Sequence, residues 1–107
     1  MDQDTRVYHV GTLPVLRVLR GPGEGAVLVL RGCHTLGRSQ TCDLVLADPG
    51  VSREHARVER GPDGVEVVDL GSTNGTFVNG RKVTQCRLRH GDRLQLGGVV
   101  LEYREGP

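Results

Sequence analysis

The sequence predicts an all-β fold, a two-sheet antiparallel β-sandwich of about ten or eleven short strands. Turn signals recur about every 8 to 15 residues, and the runs between them alternate apolar and polar side chains as half-buried strands do. No window has the 3.6-residue apolar period of an amphipathic helix. The 16 glycines and 5 prolines would also interrupt most helices of useful length.

The first two strands are predicted to form a hairpin. Residues 15–20 and 26–31 are rich in valine and leucine, and they flank the cluster Gly-Pro-Gly-Glu-Gly at 21–25. A glycine and proline cluster of this length is typical of a hairpin loop.

The remaining strands follow from short apolar runs, each ended by a turn signal. Alternation is clearest in residues 56–59 and 65–69, so one face of each sheet is expected to be solvated. The candidate strands span residues 35–38, 43–46, 55–59, 65–69, 76–78, 87–88, 93–96 and 99–104. The turn signals between them lie at residues 48–50, 61–64, 79–80, 90–92 and 97–98.

Size and charge limit the possible functions. A chain of 107 residues forms one domain around a single core. Its 14 Lys and Arg against 13 Asp and Glu give no overall field for nucleic acid or an anionic membrane, so neither is predicted as a partner. Three cysteines leave one unpaired in any disulfide scheme, and no segment resembles a secretory signal or a membrane span. We therefore expect a cytoplasmic protein.

Three motifs occur in a fixed order between residues 36 and 80. They are Gly37-Arg38, then Ser-Arg-Glu-His at 52–55, then Asp-Leu-Gly-Ser-Thr-Asn-Gly-Thr-Phe-Val-Asn-Gly at 69–80. They place two guanidinium groups, hydroxyls and an amide on turns between strands, which are the donors that a phosphate monoester requires. The first hypothesis is an anion receptor.

Each group also has a purely structural interpretation. Taken alone, Arg38 is interpreted as a solvated arginine at a strand end. Taken alone, Ser52 is interpreted as a serine that caps its own turn. Thr73 and Asn74 fit an ordinary polar hairpin as well as a binding loop. His55 is placed to hold a loop by hydrogen bonding rather than to touch a ligand.

The residues do not favour catalysis or metal binding. Ser52, His55 and Asp69 lack the nucleophile elbow of a hydrolase, and the Gly-rich turn at 21–25 lacks the Gly-Lys-Ser/Thr of a phosphate-binding loop. No enzyme activity, cofactor or metal is predicted. The Cys and His residues without zinc-site spacing are Cys33, His34, Cys42, Cys86 and His90.

Together the three motifs resemble the signature of the forkhead-associated (FHA) domain, over about residues 15 to 103. The resemblance implies an FHA/SMAD-like sandwich that binds phosphothreonine peptides through loops at one end. It implies that the phosphate is bound by Arg38, Ser52, Arg53 and Thr73.

The same resemblance implies two further groups of residues. Asn74 would hydrogen-bond the peptide main chain, and Asn79 would support or contact the peptide-facing loops. Gly37, His55 and Gly75 would maintain the geometry of the site.

The predicted organisation is a tail at 1–13, the FHA domain at 14–104 and an end or linker at 105–107. The resemblance suggests the regulatory part of a larger signalling protein that recognises a phosphorylated protein in trans. Thr5 or Thr12 of the tail, once phosphorylated, is an alternative ligand in cis or on a neighbouring molecule. The competing function is a phosphorylation-independent interaction or dimerisation module that uses the same sandwich.

Overall fold

The computed structural model describes residues 13–106, which form eleven strands and no helix. The tail threonines Thr5 and Thr12 lie outside these residues. The strands are β1 (Pro14–Arg20), β2 (Val27–Val29), β3 (Cys33–Gly37), β4 (Leu44–Val45), β5 (Ala56–Gly61), β6 (Gly64–Asp69), β7 (Thr76–Val78), β8 (Arg81–Val83), β9 (Gln85–Leu88), β10 (Arg93–Leu96) and β11 (Val99–Glu105).

The strands form two sheets, which confirms the predicted sandwich. Sheet I has the order β2-β1-β11-β10-β7-β8, and sheet II has the order β4-β3-β5-β6-β9. The predicted first hairpin is present, with β1 and β2 antiparallel and Leu16 opposite Leu28. Strands β7 and β10 have the predicted bounds.

One pair departs from the expected antiparallel arrangement. Strands β3 and β4 run parallel, with Leu36 opposite Leu44. Parallel pairing requires the chain to pass back to the start of β3 before β4 begins, and a hydrogen bond from the Thr35 N–H to Asp43 Oδ2 at 2.8 Å joins the two segments at that point. The loop between β3 and β4 is therefore a crossover connection and not a hairpin turn.

Strand β8 was not predicted. Its sequence, Arg-Lys-Val, contributes one apolar side chain, so its alternation is too short to detect. It forms because the Asn79-Gly80 turn folds the chain back onto β7, where Phe77 pairs with Lys82. Asn79 takes the required positive φ of 51°.

The inner faces of the two sheets enclose one hydrophobic core. Each fully buried leucine or valine in such a core contributes about 1.5–3 kcal/mol relative to exposure. The hydroxyl of buried Tyr103 donates to Glu105 at 3.0 Å, and burial raises the pKa of this phenol. The buried core residues are Leu16, Val18, Leu30, Leu36, Leu46, Val51, Ala56, Val58, Val65, Val67, Val78, Leu88, Leu94, Leu96, Val99, Leu101 and Tyr103.

Within residues 13–106 there is no helix of the length and apolar character needed to cross a bilayer.

Candidate functional site

Three loops meet at one end of the sandwich, namely those joining β3 to β4, β4 to β5, and β6 to β7. The Arg38 N–H donates to the Ser52 carbonyl at 3.0 Å, and the Ser39 N–H donates to the Arg53 carbonyl at 3.1 Å. This approach needs glycine at position 37, because a Cβ there would lie 2.1 Å from the Arg53 carbonyl oxygen. Gly37 thus allows the Arg38 loop and the Ser52 loop to join.

The guanidinium group of Arg38 is anchored through one of its three nitrogens. Its Nε donates to the Val51 carbonyl at 3.0 Å, beside Ser52. Among the residues that the structure describes, this is the only side-chain hydrogen bond of Arg38, and the residue is exposed. The two terminal amino groups make no hydrogen bond within these residues. They are therefore available to bind an oxyanion through two N–H donors.

Ser52 connects this loop to the next one. Its Oγ accepts a hydrogen bond from the Thr73 N–H at 3.0 Å. Accepting that bond leaves the hydroxyl proton of Ser52 free to donate, and the exposed hydroxyl of Thr73 stands on the adjoining loop. Arg38, Ser52 and Thr73 are in this way brought together.

His55 supports the loops from beneath. It is fully buried, and its Nδ1 accepts the Ser52 N–H at 3.0 Å. The other nitrogen, Nε2, therefore carries the proton and donates to the Gly75 carbonyl at 2.9 Å. The imidazole positions the β4–β5 loop and the β6–β7 loop and does not reach the surface.

The carboxylate of Asp69 organises the loop from β6 to β7. It accepts hydrogen bonds from the Ser72 and Thr76 hydroxyls at 2.6 and 2.7 Å and from the backbone N–H groups of Gly71 and Ser72 at 3.0 and 3.1 Å. Burial alone would raise the pKa of Asp69, but these hydrogen bonds to the charged form outweigh it and lower the pKa below its usual value.

Asn74 connects the loop from β6 to β7 with the loop from β4 to β5. Its Nδ2 donates to the Gly50 carbonyl at 3.0 Å, and the side chain is exposed. Asp48 fixes that Gly50 turn by accepting the Gly50 and Gly98 N–H groups at 2.9 and 3.1 Å. The loop that carries the exposed side chain of Asn74 is thus fixed to a braced turn.

Two other predicted residues occupy different surroundings. Arg53 is exposed on the Ser52 loop, and its carbonyl anchors Ser39. Asn79 lies in the turn from β7 to β8, where its Nδ2 donates to Asp92 at 2.9 Å and its Oδ1 accepts the Arg93 N–H at 3.0 Å. Both polar groups of Asn79 therefore hold that turn to the start of β10.

Cys33, Cys42 and Cys86 are free thiols, and Cys42 lies beside the site. Burial is the main reason that the pKa of the Cys42 thiol is raised, and its Sγ donates to the Arg53 carbonyl at 3.2 Å. The described residues contain no group of three or more His, Cys, Asp or Glu side chains placed to hold a metal ion.

Sequence reasoning did not assign the residues that brace the site from behind. Asp48 and Asp69 accept hydrogen bonds within their turns, and the Ser72 hydroxyl donates to Asp69. Val51 supplies the carbonyl that orients Arg38. The signal for the two aspartates was available, because Asp followed within two or three residues by Gly or Ser favours side-chain capping of a turn. No sequence signal identifies a backbone carbonyl such as that of Val51.

Comparisons with known proteins agree with this architecture. The FHA domain family model matches residues 34–97. A similar curated relative is the oxoglutarate dehydrogenase inhibitor of Corynebacterium diphtheriae, 44% identical over 94 residues, covering 87% of this chain and 66% of that protein. The chain thus spans slightly less than two thirds of the length of that relative.

Two solved structures are also similar. An FHA domain studied for phosphothreonine-dependent interactions has a TM-score of 0.81 and 35% identity, covering 90% of this chain and 99% of that one. The FHA domain of FhaA, solved in complex with the intracellular domain of Rv3910, has a TM-score of 0.78 and 35% identity, covering 85% and 99%. With the family model matching more than half of its residues, this chain belongs to the FHA domain family.

Proposed function

We propose that the chain is a phosphothreonine-peptide-binding module that recognises a phosphorylated protein partner through the three loops. One observation carries the proposal. The Arg38 guanidinium is anchored through Nε to the Val51 carbonyl, while its terminal amino groups remain open beside Ser52, which is itself bonded to Thr73.

The phosphate is the main source of affinity in this proposal. It carries about −1.5 to −2 charge at pH 7. Arg38 supplies a forked donor, Ser52 and Thr73 supply hydroxyls, and Arg53 adds a second cation from the same loop. Because the Arg38 side chain is already restrained, less conformational entropy is lost on binding than for a free arginine.

The peptide is held beside the phosphate. We assign Asn74 to the ligand main chain, since its exposed amide stands on a loop fixed to Gly50. Asn79 acts by support, because its side chain fastens the β7–β8 turn to Asp92 and Arg93. Gly37, His55 and Gly75 keep the loops in register.

Preference for threonine over serine depends on the extra methyl group. Burial of one such carbon is worth about 0.8 kcal/mol, which is about fourfold in affinity. A larger preference requires a close fit around the methyl group.

We assign the module to regulation of a protein partner in the cytoplasm rather than to catalysis. The C. diphtheriae relative is an inhibitor of a dehydrogenase, and the FhaA domain was solved with a protein partner. Phosphorylation of Thr5 or Thr12 in the tail would supply a competing ligand of the same chemistry.

The test is calorimetric titration with one peptide in three forms, carrying phosphothreonine, phosphoserine or unmodified threonine. We expect binding of the phosphothreonine form, weaker binding of the phosphoserine form and none of the third. Phosphatase treatment of the ligand should abolish binding, and high salt should weaken it. Equal binding of the modified and unmodified peptides would favour the phosphorylation-independent interaction module instead.

A further inference from the structure

A second surface lies between the two sheets, away from the three loops. Strand β8 ends sheet I and strand β9 ends sheet II, and only Thr84 separates them in the chain. Within residues 13–106 each of these strands has a neighbour on one side only, so each presents an unpaired edge. The two edges border an open groove of about 460 Å3, which we call the β8–β9 groove.

The rim of this groove is basic. Arg81, Arg87 and Arg89 line it, and all three are exposed. Among the described residues none of their guanidinium groups takes part in a hydrogen bond or ion pair. Asp92 also lines the groove and offsets one of the three positive charges, although it accepts from the Asn79 amide and the Arg89 backbone N–H and forms no ion pair with these arginines among the described residues. Glu66, opposite Arg87, accepts from the Gln85 amide at 2.9 Å.

The floor of the groove is apolar. It is formed by Val78, a buried residue of the core, and by Val83 and Cys86, which pack against the core and remain partly accessible. An apolar floor under a cationic rim suits a peptide that alternates apolar and acidic side chains, since consecutive side chains of an extended peptide take opposite directions. The unpaired edges offer backbone hydrogen bonds to such a peptide.

The groove is distinct from the phosphate-binding loops. Arg81 pairs with Val78, at the end of β7 remote from the Ser72–Gly75 turn, and Arg89 follows Leu88, which pairs with the beginning of β6. At about 3.3 Å per residue, the three arginines lie roughly 10 Å or more from that turn. One partner is therefore able to occupy both surfaces.

We propose that the β8–β9 groove is a phosphorylation-independent docking site for an extended acidic segment of a partner protein. Nucleic acid fits less well, because the chain has a net charge of only +1 and the described residues that line the groove include no aromatic side chain for stacking on a base. A partner that also carries phosphothreonine would gain affinity through the linkage of the two contacts.

The test uses the full chain and a fluorescent unphosphorylated peptide of about eight residues that alternates glutamate and valine. A peptide that alternates glutamine and valine is the charge control. Fluorescence anisotropy should show binding of the acidic peptide that weakens with salt, and little binding of the neutral one. Backbone NMR shifts should change in β8 and β9.

The groove variant replaces three arginines, Arg81→Gln, Arg87→Gln and Arg89→Gln. We expect it to lose about tenfold or more in affinity for the acidic peptide while retaining affinity for a phosphothreonine peptide.

The matched control carries Arg17→Gln, Arg20→Gln and Arg31→Gln, three exposed arginines outside the groove. Its net charge equals that of the groove variant, so it should bind the acidic peptide within about threefold of the unsubstituted chain. Equal losses in the two variants would mean attraction to net charge alone and would overturn the proposal.

Three other outcomes would also overturn it. They are shifts confined to the amides of Arg38, Ser52 and Thr73, tighter binding of an oligothymidine than of the acidic peptide, and self-association that the groove variant abolishes. The Arg38→Ala variant separates the two sites, since it should lose the phosphopeptide and keep the acidic peptide.

Discussion

The hydroxyl oxygen of Ser52 accepts the backbone N–H of Thr73 at 3.0 Å, and this bond joins the β4–β5 loop to the β6–β7 loop. Ser52 therefore has a double role in the proposed site. It fixes the position of Thr73 by accepting, and its own proton remains available to a phosphate oxygen.

Replacement of Ser52 should weaken phosphopeptide binding in two ways, since it removes a donor to the phosphate and also the acceptor that holds Thr73 in place. A hydrogen bond to a charged group is worth about 1.5–3 kcal/mol, so Ser52→Ala should cost about tenfold or more in affinity by calorimetry. The control is Ser39→Ala, since the Ser39 hydroxyl contacts Thr41 within its own loop. Equal affinities for the two variants would contradict the role given to Ser52.

His55 should be needed for both stability and binding. His55→Ala leaves the Ser52 N–H and the Gly75 carbonyl without their partner and opens a cavity, and unsatisfied buried groups cost about 1–3 kcal/mol each. The midpoint of urea denaturation should fall. The comparison is His34→Ala, because the His34 ring also accepts backbone N–H groups but does so at residues 31 and 32, away from the site. The His34→Ala variant should therefore retain its affinity for the phosphopeptide.

Gly37 should tolerate no side chain. In Gly37→Ala the new Cβ would meet the Arg53 carbonyl oxygen at 2.1 Å and Cys42 Sγ at 2.9 Å, so the loops must separate at a cost of about 1–3 kcal/mol. Thermal unfolding should show the loss, together with weaker phosphopeptide binding. Gly32→Ala provides the matched change, as a Cβ at that position has no neighbour within 4 Å. A similar melting temperature for both variants would argue against the close approach.

Asp69 should give the chain an acid-dependent component of stability. Its pKa is lower in the folded chain than its ordinary value of 3.8, so the folded state binds fewer protons than the unfolded state. The stabilisation is thus present above pH 3.8 and lost as the pH falls through the folded pKa. Urea denaturation of Asp69→Asn should show a clear deficit at neutral pH that narrows below about pH 4. A deficit that does not change with pH would contradict this assignment.

The fold was largely predictable because alternation and turn residues are local signals. The runs at 76–78 and 93–96 were bounded by turn residues, and their strands have the predicted limits. Strand β8 was missed because its pairing depends on the preceding turn. The parallel direction of β4 was missed because it requires the chain to return beside β3, where Asp43 contacts Thr35. Both features arise from interactions outside the segment itself.

That Arg38, Ser52 and Thr73 lie on adjoining loops was predictable, but the contacts that hold them were not. The three motifs indicated which side chains are donors, but they gave no information on the anchoring of Arg38 by the Val51 carbonyl. Nor did they indicate that both polar groups of Asn79 contact residues at the start of β10. Such partners are distant in sequence and carry no pattern of their own.

The central claim is that Arg38 binds the phosphate of a phosphothreonine peptide, and titration of the Arg38→Ala variant tests it most directly. The variant should keep the native melting temperature, because the exposed side chain makes one hydrogen bond within the described residues. It should bind at least about tenfold more weakly, since a charged partner of the phosphate is lost. Unchanged affinity in a folded Arg38→Ala variant would contradict the account.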